Sequence, residues 1–433
     1  MERGLVFRAP FLSSSTSIRK PKALCHAKPE PGEGILFETI AILGVCAGLF
    51  VLLELPRVSN ARFWRATVTP LASIIGSGFL VIGPILDHAF GGYAPLAMVA
   101  LCGLAYLFGA AIRENIRSRN EDQPVARLVK WVEPAASWSL SLAYIVSVAY
   151  YLNLFGSFAI HMTDVDSQTN ARLLTTVMFL VVLGVGWTRG FRALEHLELH
   201  SVTLKLAIIG SLLVGLLFFN FEKAGSGEWL FNPASITGWQ AVTLVFGLIV
   251  TVQGFEISRY LGSEYAPALR ISSMRFAQIL TTLIYLAYIV LMSYVFQPRD
   301  IPLDEAGIID MMALVAPILP VILIAAALAA QFSAAIADTG GCGGLVDELT
   351  QSKVRPRYTY LLIAGLGIGL TWFADVFDII SYASRIFALY YALQAFEAAV
   401  RSWSSDRALL RTGFFGVLAI LGLMVTIFGQ AVE

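Results

Sequence analysis

Three ionisable residues lie within or beside long apolar runs of this chain: Lys205, Glu256 and Asp338. A charged side chain inside a membrane-spanning helix is costly and usually faces a cavity or a partner. Because a buried lysine changes its protonation state readily, Lys205 is suited to take up and release protons. The alternative is a lysine near the end of a span that extends its amine to the membrane interface.

Glu256 stands two positions after Gly254, inside an interruption of an apolar span. Its carboxylate would bind an ammonium group or carry a proton. The alternative is a structural ion pair with Arg259, which lies three residues further on and therefore on the same face of a helix. The residues alone leave both interpretations open.

Asp338 follows the apolar stretch 322–337, where we expect a helix to end. With Ser333, Thr339 and the carbonyl groups near Ser73, it would complete an oxygen site for a small cation. The alternative is a capping or turn residue at the helix end.

Two glycine-containing breaks interrupt apolar spans, Gly76-Ser77-Gly78 and Gln253-Gly254-Phe255-Glu256. Glycine is unfavourable in a helix interior, and unwound backbone at bilayer depth persists only where it is buried in protein or lines a cavity. Backbone N–H groups after such a break bind anions, and carbonyl groups before it face cations. Small residues that permit close helix packing are the alternative explanation. Two interrupted spans in corresponding positions are typical of a transporter binding site, which would include the break residues from Gly76 to Gly78 and from Gly254 to Glu256.

The composition indicates a polytopic membrane protein embedded in a lipid bilayer. Hydrophobic residues make up 57% of the 433 positions, charged residues 14%, and mean hydropathy is +0.73. A soluble domain has about 25% charged residues. Net charge is zero, so the chain lacks the excess of basic residues that would indicate a nucleic-acid partner. The four cysteines are scattered without metal-ligand spacing, and we expect no metal site and no cofactor.

A spanning helix needs about 20 mainly apolar residues, and twelve segments qualify. They are 35–55, 66–88, 93–113, 135–160, 171–188, 200–220, 238–262, 275–297, 308–337, 357–374, 378–401 and 410–430. Loops rich in lysine and arginine, which favour the cytoplasmic side, alternate with acidic or neutral loops. The basic loops are 57–65, 113–130, 189–192, 259–275, 353–357 and 401–411, and the others include 161–170, 220–238 and 298–304. The span 66–88 therefore enters from the cytoplasm.

Two sets of five spans follow one another, and each begins with an interrupted span. Because five is odd, the second set starts on the opposite side of the membrane, which predicts an inverted-topology repeat. The predicted organisation is a basic, Ser-rich tail (1–34), an extra spanning helix (35–55), a first repeat (56–220), a second repeat (221–405) and a C-terminal spanning helix (406–433). In the third helix of the first repeat, Tyr150 is a candidate lining residue for a substrate path, with plain aromatic packing as its alternative.

The tail leaves two localisations open. Its arginines, lysines and serines are compatible with an organellar transit peptide, and also with a disordered basic tail. We expect a multi-pass protein of the cell (inner) membrane, or of an organellar envelope if the tail is a transit peptide.

The motifs resemble those of the amino acid–polyamine–organocation (APC) transporters over about residues 60–401. Ile75-Gly76-Ser77-Gly78-Phe79 followed by Pro84 resembles the family's first-helix signature, and Gly254-Phe255-Glu256 with Glu264 and Pro267 resembles its sixth-helix pattern. Lys205-Leu206-Ala207 resembles its fifth-helix motif. The resemblance implies an all-α, five-plus-five inverted-repeat fold of the leucine-transporter type. It also implies transport of an amino acid or related amine, coupled to H⁺ or Na⁺, with a fifth-helix lysine standing where some relatives bind sodium.

We therefore expect a secondary active transporter that works by alternating access, and not an enzyme. Arg259 departs from the family pattern, which has a small or apolar residue there. The charged Glu256/Arg259 segment favours an alternative substrate, an inorganic ion. A non-transporting membrane protein is the third possibility.

Overall fold

The computed structural model describes residues 33–76, 78–118, 127–188, 192–301, 304, 306–406 and 408–431. All regular secondary structure in these ranges is helical. Residues 1–32 of the predicted tail lie outside the described residues. Ser77 lies outside them as well.

The α-helices follow the apolar runs of the sequence. In chain order they are α1 (Glu33–Glu54), α2 (Pro56–Ser59), α3 (Arg62–Ile74), α4 (Gly78–Phe90), α5 (Ala94–Ser118), α6 (Val129–Ile160), α7 (Gln168–Thr188), α8 (Arg192–Ser226), α9 (Gly238–Gly247), α10 (Pro267–Met292), α11 (Gly307–Val315), α12 (Leu319–Leu349), α13 (Pro356–Phe373), α14 (Val376–Asp406) and α15 (Leu409–Phe428). Short 3₁₀ turns run over Gly91–Tyr93, Ile249–Val252, Phe255–Arg259, Leu261–Ser263 and Pro298–Asp300.

Nine segments of the described chain are helical, long and apolar enough to cross a membrane. The multi-pass character predicted from composition and the all-α fold implied by the resemblance are therefore confirmed for the described residues. Helices α3, α9 and α11 are too short to enter that count, and α13 does not enter it either. Gly78–Ser118 enters it as a single segment although it contains both α4 and α5. Twelve spans, the five-plus-five repeat and the domain limits remain predictions.

Both predicted interruptions are present in the backbone. The first interrupted span, 66–88, divides into α3 and α4. Ile75, at the C-terminal end of α3, has φ −82° and ψ 62°. The second begins as α9 and continues only as 3₁₀ turns on either side of Gly254. Gly254 has φ +115°, a conformation that residues with a Cβ rarely adopt.

The predicted span 308–337 is not a single helix, and its predicted end is too early. It is divided into α11 and α12 at residues 316–318, and α12 continues past Asp338 through a glycine-rich run to Leu349. At Gly343 a neighbouring ring fills the space of the missing side chain, because a Cβ there would lie 2.5 Å from the Tyr360 ring. Asp338 is therefore a mid-helix residue, and the interpretation as a capping or turn residue is also wrong.

The long helices α12 and α14 both pack on α6, while α1 packs on α8 and α15 packs on α14. Helix ends predicted to share one side of the membrane do meet. His200 at the predicted cytoplasmic side lies 2.9 Å from Glu54, and His161 at the predicted outer side lies 3.2 Å from Asp310.

Candidate functional site

The two interruptions contact each other through their glycines. A Cβ on Gly78 would lie 2.7 Å from the Cα of Thr251, and a Cβ on Gly254 would lie 2.6 Å from the Cβ of Ser73. Neither position has room for a larger residue without a shift of the backbone. The absence of side chains at Gly78 and Gly254 thus allows the two unwound segments to cross in contact.

One tyrosine joins both interruptions. The hydroxyl of Tyr285 on α10 donates to the carbonyl oxygen of Thr251 at 2.7 Å and lies 3.2 Å from that of Ile74. These carbonyl groups come from the second and first interrupted segments respectively, where no regular helix satisfies them fully. The motifs alone did not single out Tyr285, because its partners lie far away in the sequence.

Lys205 lies at the C-terminal end of the half-helix α3. Its Nζ atom donates to the carbonyl oxygens of Ile75 at 2.8 Å and Ala72 at 3.1 Å. The side chain is buried, so it does not extend to the membrane interface. The carbonyl end of a helix carries partial negative charge and favours a cation. An ammonium group supplied by the protein occupies that position here.

Glu256 is fully buried and is bound within its own interruption. Its Oε2 atom accepts from the backbone N–H of Gly254 at 3.0 Å and from the hydroxyl of Tyr391 at 2.9 Å. The Tyr391 ring stacks on Phe255, with 5.1 Å between centroids, and on Phe108 on its other side. Phe255 therefore packs in an aromatic stack that supports the Glu256 carboxylate.

Arg259 does not pair with Glu256, so that interpretation is wrong. Its guanidinium lies 3.2 Å from Glu397 on α14 and 3.5 Å from Glu133 on α6, and it also donates to Gln394. Glu397 in turn pairs with Arg401 at 2.9 Å. This buried network, which we call the Arg259 cluster, joins the second interrupted segment to α6 and α14.

Asp338 bonds to a different partner from those predicted. Its carboxylate accepts from the hydroxyl of Ser147 on α6, and the hydroxyl of Thr339 donates to the carbonyl of Ala335 in its own helix at 2.6 Å. Successive residues of an α-helix are about 100° apart, so Ser333 and Asp338 project about 140° apart. Asp338 and Ser333 therefore face different sides of α12, and the oxygen site of Asp338, Ser333 and Thr339 remains a prediction.

Tyr150 is buried on α6, with its ring 5.4 Å from that of Tyr151. The hydroxyl of Tyr151 accepts from the side-chain amide of Gln253, next to Gly254, at 3.2 Å. Helix α6 therefore meets the second interruption through Tyr151, one position beyond the residue selected from the sequence.

Gly76 lines a small cavity of about 20 Å³ together with Lys205, Phe79 and Gln331. The remaining walls are aliphatic, from α4, α8 and α12. Lys205 and Gly76 are thus brought together at one cavity.

These features define a class: a multi-pass α-helical membrane protein with two interrupted helices that cross in contact. A family model described as "APC superfamily transporter" matches residues 56–429. An uncharacterized protein of Aquifex aeolicus (strain VF5) is 39% identical over 388 residues, which cover 87% of this chain and 93% of that protein. The chain belongs to the APC superfamily of transporters, and the resemblance found in its motifs is confirmed.

Proposed function

We propose that the protein is a secondary active transporter for an amino acid or a related organic amine, coupled to protons and working by alternating access. The observation that carries the proposal is the position of Lys205, whose Nζ lies within hydrogen-bond distance of the carbonyl oxygens of Ala72 and Ile75. These carbonyls come from the last turn of α3, directly before the first interruption, which is the expected substrate site.

Coupling follows from the charge of Lys205. In the ammonium form, the side chain holds the end of α3 through hydrogen bonds to two carbonyls. Loss of the proton weakens both bonds, since charged donors bind more strongly than neutral ones. Binding of a proton thus favours one arrangement of the interrupted segment, and its release favours the other. Proton coupling is preferred to sodium coupling because the protein's own cation contacts the carbonyls that a sodium ion would need.

Substrate recognition uses the opposite polarity of the two interruptions. The N-terminal end of α4 at Gly78 presents backbone N–H groups suited to a carboxylate. The Glu256 carboxylate has lone pairs beyond the two bonds it accepts, and these suit an ammonium group. The contact between the interruptions brings the segments that carry these groups together, which fits a zwitterionic amino acid. Phe255 and Tyr150 supply apolar surface near that position.

The proposed cycle is a relative movement of two repeats of five helices, each beginning with an interrupted helix. The Arg259 cluster closes the predicted cytoplasmic side by joining the second interrupted segment to α6 and α14. Opening toward the cytoplasm requires these ion pairs to separate.

Transport of an inorganic ion on the same fold is the second candidate. The reason to consider an inorganic ion is the pair of charged residues Glu256 and Arg259. However, Arg259 is neutralised by Glu397 and Glu133. This pairing favours the amino acid.

The test is uptake of a panel of labelled amino acids and amines into proteoliposomes, with an imposed pH gradient, a sodium gradient or neither. We expect at least one amino acid to accumulate when the pH gradient is imposed, without a requirement for sodium. Accumulation that requires sodium would contradict proton coupling. Gradient-driven ion flux without uptake of any organic substrate would overturn the proposal in favour of the second candidate.

A further inference from the structure

Asp87 is a buried carboxylic acid near the C-terminal end of α4, the half-helix that leads from the first interruption toward the predicted outer face. Its relative exposure is 2%, and neither carboxylate oxygen has a hydrogen-bond partner within the part of the chain that the structure describes. Nearly all buried polar groups in proteins are hydrogen-bonded, so two unpartnered oxygens on one carboxyl group require an explanation.

The elements packed against α4 carry positive charge only at the predicted cytoplasmic ends of α5 and α10, away from Asp87, as Arg113, Arg117, Arg270 and Arg275. These elements are α5, α10, α11 and the 3₁₀ turns at Gly91–Tyr93 and Ile249–Val252. The remaining titratable side chains of these elements are Cys102, Tyr106 and Glu114 on α5, Tyr285 and Tyr288 on α10, Asp310 on α11, and Tyr93.

These groups are neutral or acidic, and several have partners of their own. The Tyr288 hydroxyl donates to the carbonyl of Leu80, and Asp310 lies 3.2 Å from His161. His88, which follows Asp87 in α4, is exposed.

An ionised carboxylate cannot persist in such surroundings. Burial of an unpaired charge in an apolar site is so unfavourable that the group becomes neutral instead. A buried carboxyl group within a membrane-spanning segment is retained for function more often than for stability. The neutral form of Asp87 carries one proton, which can leave only when water reaches the carboxyl group.

We propose that Asp87 is a second proton-binding site, loaded from the outer side. When α4 moves and its outer end becomes hydrated, the carboxylate takes one proton from solvent water; when that end closes, the acid is buried in its neutral form. Only an O–H bond forms or breaks, and the same proton returns to water on release. The direction of loading rests on the proposed function, whereas the protonation itself does not.

Infrared spectroscopy tests the protonation without any transport assay. The spectrum of wild type minus Asp87→Asn at neutral pH should contain the C=O stretch of a protonated carboxylic acid. Subtraction of the spectrum of Asp310→Asn, which removes an exposed carboxylate, should show no such band. A carboxylate band at Asp87 at neutral pH would overturn the inference.

Proton stoichiometry tests the role in transport. Asp87→Asn should still transport substrate but with one proton fewer per cycle, so that accumulation driven by a gradient of one pH unit falls about 10-fold. Asp87→Glu, which keeps the carboxyl group, should retain the wild-type ratio and shows that the position tolerates substitution.

The two tests together separate the possible failures. An acid band combined with an unchanged proton ratio would overturn the role of Asp87 in transport. If the wild-type protein takes up no substrate at all, the proposed function fails, and the infrared difference alone then decides whether Asp87 binds a proton.

Discussion

The backbone of Gly254 lies directly against Ser73, so that the second interrupted helix meets the first at a residue with no side chain. The reciprocal contact, Gly78 against Thr251, completes a crossing of two unwound segments. Tyr285 then holds one carbonyl from each segment. The two interruptions are therefore joined both by direct backbone contact and by a shared hydrogen-bond donor.

The first prediction concerns this crossing. Gly254→Ala places a Cβ 2.6 Å from that of Ser73 and requires alanine to adopt φ +115°. Unfavourable backbone conformations of this kind cost of order 1–3 kcal/mol each. We expect a lower apparent melting temperature in detergent and loss of uptake. The matched control is Gly369→Ala on α13, where an added Cβ meets open space. An equal effect of the two substitutions would contradict a tight crossing.

The second prediction concerns coupling. Lys205→Met keeps most of the side-chain volume but removes the ammonium group from the Ala72 and Ile75 carbonyls. We expect uptake in proteoliposomes to lose its dependence on pH, because no proton is bound or released at this position. Lys223→Met is the control, since Lys223 is paired with Glu228 near the predicted outer end of α8. If Lys205→Met retains the wild-type pH profile, Lys205 is not the coupling residue.

Local features of the chain were predictable, whereas contacts between distant helices were not. Glycine destabilises the helix in which it stands, so the interruptions at Gly76 and Gly254 are predictable from the sequence. The partners of Glu256, Asp338 and Arg259 were not, because helical spacing relates a residue only to others on the same helix. Tyr391, Ser147 and Glu397 come from helices more than a hundred positions away.

The length of α12 also could not be predicted from local sequence. Asp338 and the glycines after it favour a helix end by local propensity. Close packing of α12 on α6 and α13 overrides that preference, with Tyr360 filling the space beside Gly343. Tertiary contacts of this kind have no local signal.

The third prediction concerns the Arg259 cluster. Arg259→Met leaves the fully buried Glu397 with Arg401 as its remaining ionic partner. Removal of one partner from a buried ion pair typically costs about 3–5 kcal/mol. We expect a fall in stability in detergent that is smaller than this, because Arg401 still pairs with Glu397 in the variant.

Arg117→Met provides the matched control for this cluster. Arg117 pairs with Glu114 at 2.8 Å, but its side chain is 50% exposed. Exposed ion pairs contribute about 0–1 kcal/mol, so this variant should have nearly wild-type stability. If Arg259→Met is no less stable than Arg117→Met, the cluster does not hold the second interrupted segment in place.

The fourth prediction concerns pH at the predicted outer face. His161 follows the end of α6, and a hydrogen bond to Asp310 raises its pKa above the usual 6.5, although partial burial opposes the shift. Because its folded-state pKa is the higher one, the protonated imidazole stabilises the fold fully below pH 6.5, and this contribution is lost as pH rises through the raised pKa. The melting temperature of the wild type should therefore fall across the upper part of the range from about pH 5 to 8.

His161→Gln should flatten that fall, because glutamine does not titrate. Burial also raises the pKa of Asp304 above 3.8, and its contribution likewise falls as pH rises, starting from that more acidic value. In an Asp310→Asn background the His161 substitution should have a smaller effect, since the bond that raises the pKa is already weakened. Equal effects of His161→Gln in both backgrounds would exclude Asp310 as the partner that makes this end of the molecule sensitive to pH.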